Sequence, residues 1–206
     1  RGQLPAETQA GPASPRGDTE DDIHGVKVPD PYRWLEDAQS PEVKKWAEAE
    51  DSLTRGFTAT LPGRDALAAR FKELFYVESA GTPRHVGGRL FYPRRDAGKE
   101  KAAIYWRERT PAGASASKPA EEHVLLDPNT WSADGSSSLG AWSVTRDGKT
   151  LAYTVHQNNA DDATLYVMDV ATGKKSAVDV IEGARYAYPS WTPKGDGFYY
   201  AWIPTD

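Results

Sequence analysis

Trp142-Ser143-Val144-Thr145-Arg146-Asp147-Gly148 runs into Lys149-Thr150-Leu151-Ala152-Tyr153, and Trp191-Thr192-Pro193-Lys194-Gly195-Asp196-Gly197 runs into Phe198-Tyr199-Tyr200. In each, a Trp–hydroxyl pair is followed five residues later by Asp-Gly and then by an aromatic strand. The two tryptophans stand 49 positions apart. Units of about 40–50 residues with several strands each are the signature of a β-propeller. A less regular unit, Val77 to Asp127, carries the same number of strands. Three units are too few to close a ring. The sequence stops at Asp206, just after the second strand of the third unit. Open sheet edges invite aggregation, so the expectation is about two and a half blades of a larger protein.

Working outward, strands are predicted over 89–94, 103–108, 123–126, 142–144, 150–156, 164–170, 176–180 and 197–202. Turn chemistry separates them: Gly87-Gly88, Asp147-Gly148, Thr172-Gly173 and Asp196-Gly197. Thr110–Ala120 is rich in Ala, Ser and Pro and predicts an exposed hairpin loop open to nicking.

Upstream the period changes. Ser40-Pro41-Glu42 is a helix start, with a capping Ser, Pro at the first helical position and an acid in the first turn. Val43, Trp46, Leu53 and Phe57 share one helical face. Pro62-Gly63 ends that helix, and a second carries Leu67, Phe71, Leu74 and Phe75 on one side. Before both lies His24-Gly25-Val26-Lys27-Val28-Pro29-Asp30-Pro31-Tyr32-Arg33-Trp34-Leu35-Glu36-Asp37. Pro29 and Pro31 bias Val28 and Asp30 toward extended backbone. Tyr32, Trp34 and Leu35 form an apolar cluster that either packs on its own domain or anchors on another surface.

Composition sets the bounds. The chain has 206 residues, 38% hydrophobic and 11% aromatic, enough for a packed core. Seven Trp and ten Tyr favour β structure. A net charge of −5 argues against a nucleic-acid partner. No apolar run approaches the ~18 residues of a membrane helix. The absence of Cys excludes disulfides, thiolate catalysis and cysteine-bound zinc. The sequence begins at Arg1 without Met, so a leader has been removed or the sequence is trimmed, and both cytoplasm and periplasm stay open. Residues 1–20 are expected to be a mobile tail. The acidic run Glu20-Asp21-Asp22 reads as a solvated charge cluster.

From about Asp21 to Asp206 the order of parts resembles the prolyl oligopeptidase family. The resemblance rests on the nearly complete His24–Asp37 signature, on Arg70-Phe71-Lys72-Glu73-Leu74, on Leu125-Leu126-Asp127-Pro128-Asn129, on the Asp134-Gly135 turn and on the Trp191…Gly197 repeat. It implies a mainly β chain with N-terminal helices. Residues 21–76 would be the helical segment packing on an α/β-hydrolase domain, and 77–206 the first blades of a seven-bladed β-propeller. It further implies cleavage of short peptides after proline by a Ser, His and Asp, with the propeller limiting access. The nucleophile of such a fold sits in a G-x-S-x-G elbow. Gly113-Ala114-Ser115-Ala116-Ser117 and Gly135-Ser136-Ser137-Ser138-Leu139 come nearest, but both lack the final Gly and both are predicted in loops. No catalytic residue is therefore assigned, and the chain alone is expected to be inactive.

Two substrate-binding candidates follow from the resemblance. Asp161 matches a propeller acid that orients a substrate-binding Arg of the hydrolase domain, a directional charge-assisted pair. Tyr186 matches an aromatic position lining the substrate pocket. An ordinary loop acid and an ordinary propeller aromatic are the competing readings. His24 is expected to support a turn; His85, His123 and His156 lie at strand ends, and no pair has the i, i+4 spacing of a helical zinc site. Asp161-Asp162 lacks the ligand pattern of a calcium loop. No cofactor and no metal are implied. The partners implied are short proline-containing peptides and the C-terminal hydrolase domain, in a monomeric whole enzyme. Two alternatives stay open: a relative cleaving after basic residues, and a non-catalytic propeller acting as a binding module.

Overall fold

The chain falls into two compact units, Arg1–Phe71 and Lys72–Asp206. The computed structural model describes residues 11–110, 120–158 and 160–204 of them. The nicking-loop expectation and the 113–117 serine stretch lie almost wholly outside the described residues, as does the first half of the expected tail.

The His24 stretch opens the first unit as a hairpin. Strands β1 (Glu20–Ile23) and β2 (Val26–Pro29) pair antiparallel, with Ile23 opposite Val26. His24 (φ 52°) and Gly25 (φ 82°) make the connection. Positive φ at both central residues matches the right-handed twist of the strands, so His24 does serve a turn. The acidic run is solvent-exposed at Glu20 and Asp22 and also makes specific contacts. Asp22 Oδ1 accepts the Gly25 N–H at 2.8 Å, and Asp21 pairs with Arg33. Arg33 also holds Asp30 at 2.5 Å, which ties the hairpin to the 3-10 turn η1 (Arg33–Glu36). The indoles of Trp34 and Trp46 meet edge to face at 6.1 Å and donate to Pro15 O and Ser14 Oγ. Both are thus partnered inside their own unit.

Helix α1 (Pro41–Ala59) starts where the cap predicts, with Ser40 Oγ accepting the Glu42 N–H. Gly63 (φ 82°) turns the chain into α2 (Arg64–Phe75). Neither helix has a buried residue. Leu67 and Leu74, on the stripe of α2, remain half exposed.

Beyond the end of α2, the second unit is mainly β. Strands β3 (Ser79–Ala80), β4 (Arg84–Val86), β5 (Arg89–Arg95), β6 (Ala103–Glu108) and β7 (His123–Leu126) form one sheet. Strands β8 (Ser138–Val144), β9 (Thr150–His156), β10 (Ala163–Asp169) and β11 (Lys175–Ile181) form a four-stranded meander. β12 (Ser190–Trp191) and β13 (Phe198–Tyr199) begin a third sheet. These are successive blades, and among the described residues they do not close into a ring.

The meander is packed on both faces. Leu151, Tyr153 and Val155 of β9, with Met168 of β10, meet Phe91, Ile104, Trp106 and Leu126 of the first sheet. The alternate residues Ala152, Leu165 and Val167 meet Trp191 and Phe198 of the third. Burial on both faces is seen in β9, which is buried without a break from Leu151 to Val155. The innermost strands also touch: Trp191 Nε1 donates to Ser143 O at 3.0 Å.

The turn hydrogen bonds correct the repeat. Thr145 N–H bonds Thr150 O and Gly148 N–H bonds Thr145 O; Thr192 N–H bonds Gly197 O and Gly195 N–H bonds Thr192 O. Gly148 and Gly195 both have positive φ, 74° and 73°. The equivalent residues are therefore Thr145 with Thr192 and Gly148 with Gly195, a period of 47 residues instead of 49. The turn backbone needs a left-handed glycine at one fixed place, so Gly195 and not Gly197 makes the turn. Trp191 stands where Val144 does. Two strands also differ from expectation. β8 begins at Ser138, so Ser138 and Leu139 lie in a strand, not a loop. The last strand shrinks from 197–202 to Phe198–Tyr199, the stretch with ladder partners in β12.

The Asp127-Pro128-Asn129 element is structural. Asp127 caps the 3-10 turn η2 (Pro128–Thr130), and Asn129 exchanges two bonds with the Lys101 backbone at 2.9 and 3.0 Å. Ser137, inside the second near-elbow, is 1% exposed and donates to Gln157.

Two core phenols set an alkaline limit. Burial first, and then its bond to Glu122, pushes Tyr92 up to about 12. Burial, with the neighbouring Tyr166 phenol, does the same for Tyr153. A phenol whose pKa rises on folding stabilises the fold below its unfolded value near 10 and loses that contribution as pH climbs through the folded value. Stability is therefore expected to fall between pH 10 and about 12. Tyrosinate absorbance measured against pH should show at least two late-ionising groups, and all ten tyrosines ionising together near pH 10 would contradict this.

Candidate functional site

The two sequence candidates meet. Asp161 lies in the β9–β10 connection and Tyr186 in the β11–β12 connection, and the Tyr186 hydroxyl donates to Asp161 Oδ2 at 2.7 Å. The bond to Asp161, then burial, holds the Tyr186 phenol above its ordinary range. The adjacent residues pair as well. Arg185 donates to Asp162 Oδ1 through Nε at 2.9 Å and Nη2 at 2.7 Å, and that bond keeps the guanidinium firmly charged. One residue further, Ala184 N–H bonds Ala163 O at 2.8 Å. The two connections are zipped by three successive cross-chain pairs.

Tyr186 has φ 55°, in the left-handed region. Its ring lines a cavity of about 360 Å³ together with Gly140, Thr154, His156 and Tyr188. Gly140 is needed there, since a Cβ would sit 2.4 Å from Thr154 Oγ1 and 2.5 Å from His156 Nε2. His156 Nδ1 lies 3.1 Å from Ala160 O. A carbonyl only accepts, so Nδ1 carries the hydrogen in this contact. A cavity of about 260 Å³, lined in part by Gln157, Asp162 and Gly183, adjoins the same connection. Another, of about 530 Å³, opens among His85, Ser143, Arg146 and Ser190 near the β4–β5 and β8–β9 turns.

Asp162, Arg185 and His156 were not picked out as site residues from sequence. The usable signal was the hairpin centred on Thr172-Gly173. Counting out from the Met168–Lys175 pair sets Asp161 against Glu182, whereas it meets Tyr186, four residues on. The irregularity between Tyr166 and Met168 and the turn at Gly183 (φ 65°) account for the slip. Among the described residues no three His, Asp or Glu side chains gather as metal ligands, and no helix is long and apolar enough to cross a membrane.

Successive antiparallel sheets packed face to face, one a complete four-stranded meander, with the first strands of neighbouring sheets in contact, define part of a β-propeller. Residues 12–206 match the family described as prolyl oligopeptidase, N-terminal beta-propeller domain, and the chain belongs to that family. A prolyl endopeptidase of Elizabethkingia meningoseptica is 28% identical over 182 residues, covering 88% of this chain and 24% of the relative. A solved structure from work on two prolyl endopeptidases and their inter-domain dynamics superimposes with a TM-score of 0.83 at 52% identity, covering 96% of this chain and 28% of that one. Prolyl oligopeptidase B of Galerina marginata, bound to a 35mer hydrolysis and macrocyclization substrate, superimposes at 0.75 with 25% identity, covering 95% and 30%. The chain spans about a quarter of the length of the curated relatives it matches.

Proposed function

We propose that these residues are the N-terminal part of a serine-type endopeptidase that cleaves short peptides after proline. In this reading the catalytic Ser, His and Asp lie in a C-terminal α/β-hydrolase domain outside the chain. The half-exposed stripes of α1 and α2 pack on that domain, and the propeller gates access to it. The observation that carries the reading is the 52% identity to a prolyl endopeptidase structure over 96% of the chain.

Asp161 and Tyr186 form the substrate-facing pair. A carboxylate has about four lone-pair sites, so Asp161 can accept the Tyr186 hydroxyl and still hold a guanidinium from the hydrolase domain. Such a pair would orient the Arg while the Tyr186 ring packs on a peptide side chain.

The test is cleavage mapping. The whole protein is incubated with a short peptide holding one internal Pro and one internal Lys, and the products are weighed. Cleavage after Pro, blocked by a serine-reactive inhibitor, is the expected result. Cleavage after Lys alone would replace it with the basic-residue reading. No cleavage would leave a binding module.

A further inference from the structure

We propose that Asp162 and Arg185 are a positioning pair, which holds the Tyr186 ring at the 360 Å³ cavity and so tunes peptide affinity without touching the peptide. The proposal rests on the substrate-facing reading of Asp161 and Tyr186 given above.

The regular β10–β11 ladder ends with Leu165 opposite Ile181. Beyond it the two connections would be free to part. They are held instead by the Ala184–Ala163 backbone bond, then Arg185 on Asp162, then Tyr186 on Asp161. A left-handed backbone is costly for a bulky residue and persists only where neighbours over-determine it. Arg185, immediately before Tyr186, is fixed by two N–H bonds to a single carboxylate oxygen. The Asp162 side chain is 60% exposed and that of Arg185 35%. A pair so wet adds little to global stability, so its consequence is local.

Asp162 has a second effect. It keeps the Arg185 guanidinium occupied, one residue from Asp161. Without it, the guanidinium can swing onto Asp161 and displace the Tyr186 hydroxyl. Loss of Asp162 is therefore expected to do more harm than loss of Arg185.

The experiment is steady-state hydrolysis of a blocked Gly-Pro chromogenic peptide by the whole protein. Asp162→Asn, Arg185→Gln and the charge swap Asp162→Arg with Arg185→Asp are compared, with Tyr186→Ala as reference. Asp162→Asn is expected to raise KM about fivefold, a small effect in keeping with an exposed pair. Arg185→Gln should raise it less, kcat should stay within about twofold in both, and melting temperatures should not move. The swap should recover most of the loss. Unchanged KM in both single variants, a swap no better than they are, or a kcat loss that tracks a lower melting temperature would each overturn the proposal. If Tyr186→Ala itself leaves KM as it was, the substrate-facing reading fails first. If Tyr186→Ala raises KM and the single variants do not, the pair alone is refuted.

Discussion

Tyr153→Ala is expected to cost the propeller unit about 3–5 kcal/mol, the range for removing a large aromatic from a core. Tyr153 is 1% exposed in the middle of β9, opposite Trp142 on one side and Tyr166 on the other. Its ring lies 5.7 Å from that of Tyr166 and 6.3 Å from that of Trp131. It belongs to the cluster that joins the first two sheets, so its loss opens a void between blades instead of a dimple at the surface. Ladder strands on both sides fix the backbone, which leaves little room for collapse. Urea unfolding should show a lower midpoint with an unchanged slope. A loss under about 1 kcal/mol would mean the two sheets are not joined through this ring.

Gly87→Ala is the second large effect, at about 2–4 kcal/mol, combining left-handed strain with overpacking. Gly87 sits in the β4–β5 turn at φ 56°. A Cβ there would lie 2.0 Å from the Asp147 carbonyl oxygen and 2.2 Å from its carbon. Those atoms are backbone of the β8–β9 turn and cannot swing aside as a side chain would. Arg89 reinforces the same contact by donating to Gly148 O at 3.0 Å. Gly173→Ala is the control. It shares the positive φ, 67°, but nothing lies within 4 Å of its Cβ position, so only the conformational term of about 1 kcal/mol remains. Equal losses at the two glycines, in the same urea measurement, would show that the turns do not bear on one another.

The strands from Arg89 to Ile181 were legible because their signals are local: β-branched and aromatic runs closed by glycine turns. The cap at Ser40-Pro41-Glu42 was legible for the same reason. The β1–β2 hairpin was not, because its strands are short and mix charged residues with the exposed Ile23, Val26 and Val28, and the contact that ties it down, Asp21 to Arg33, spans twelve positions. The register of the third blade was misread because Trp and Asp-Gly recur at one spacing by side-chain identity, while the left-handed glycine that governs the turn recurs at another. Asp161 and Tyr186 came from the family resemblance. That the two share a hydrogen bond depends on bulges in a hairpin, which no local pattern discloses. The same holds for Asp162 and Arg185, whose pairing exists only because those bulges bring Tyr186 opposite Asp161.

The most direct measurement is a crystal structure of the whole protein with a blocked Gly-Pro peptide bound. Peptide atoms within ~4 Å of the Tyr186 ring, with an Arg of the hydrolase domain on Asp161, are expected. A peptide seated against the catalytic domain with Tyr186 and Asp161 both out of reach would contradict the assignment of this propeller site to substrate.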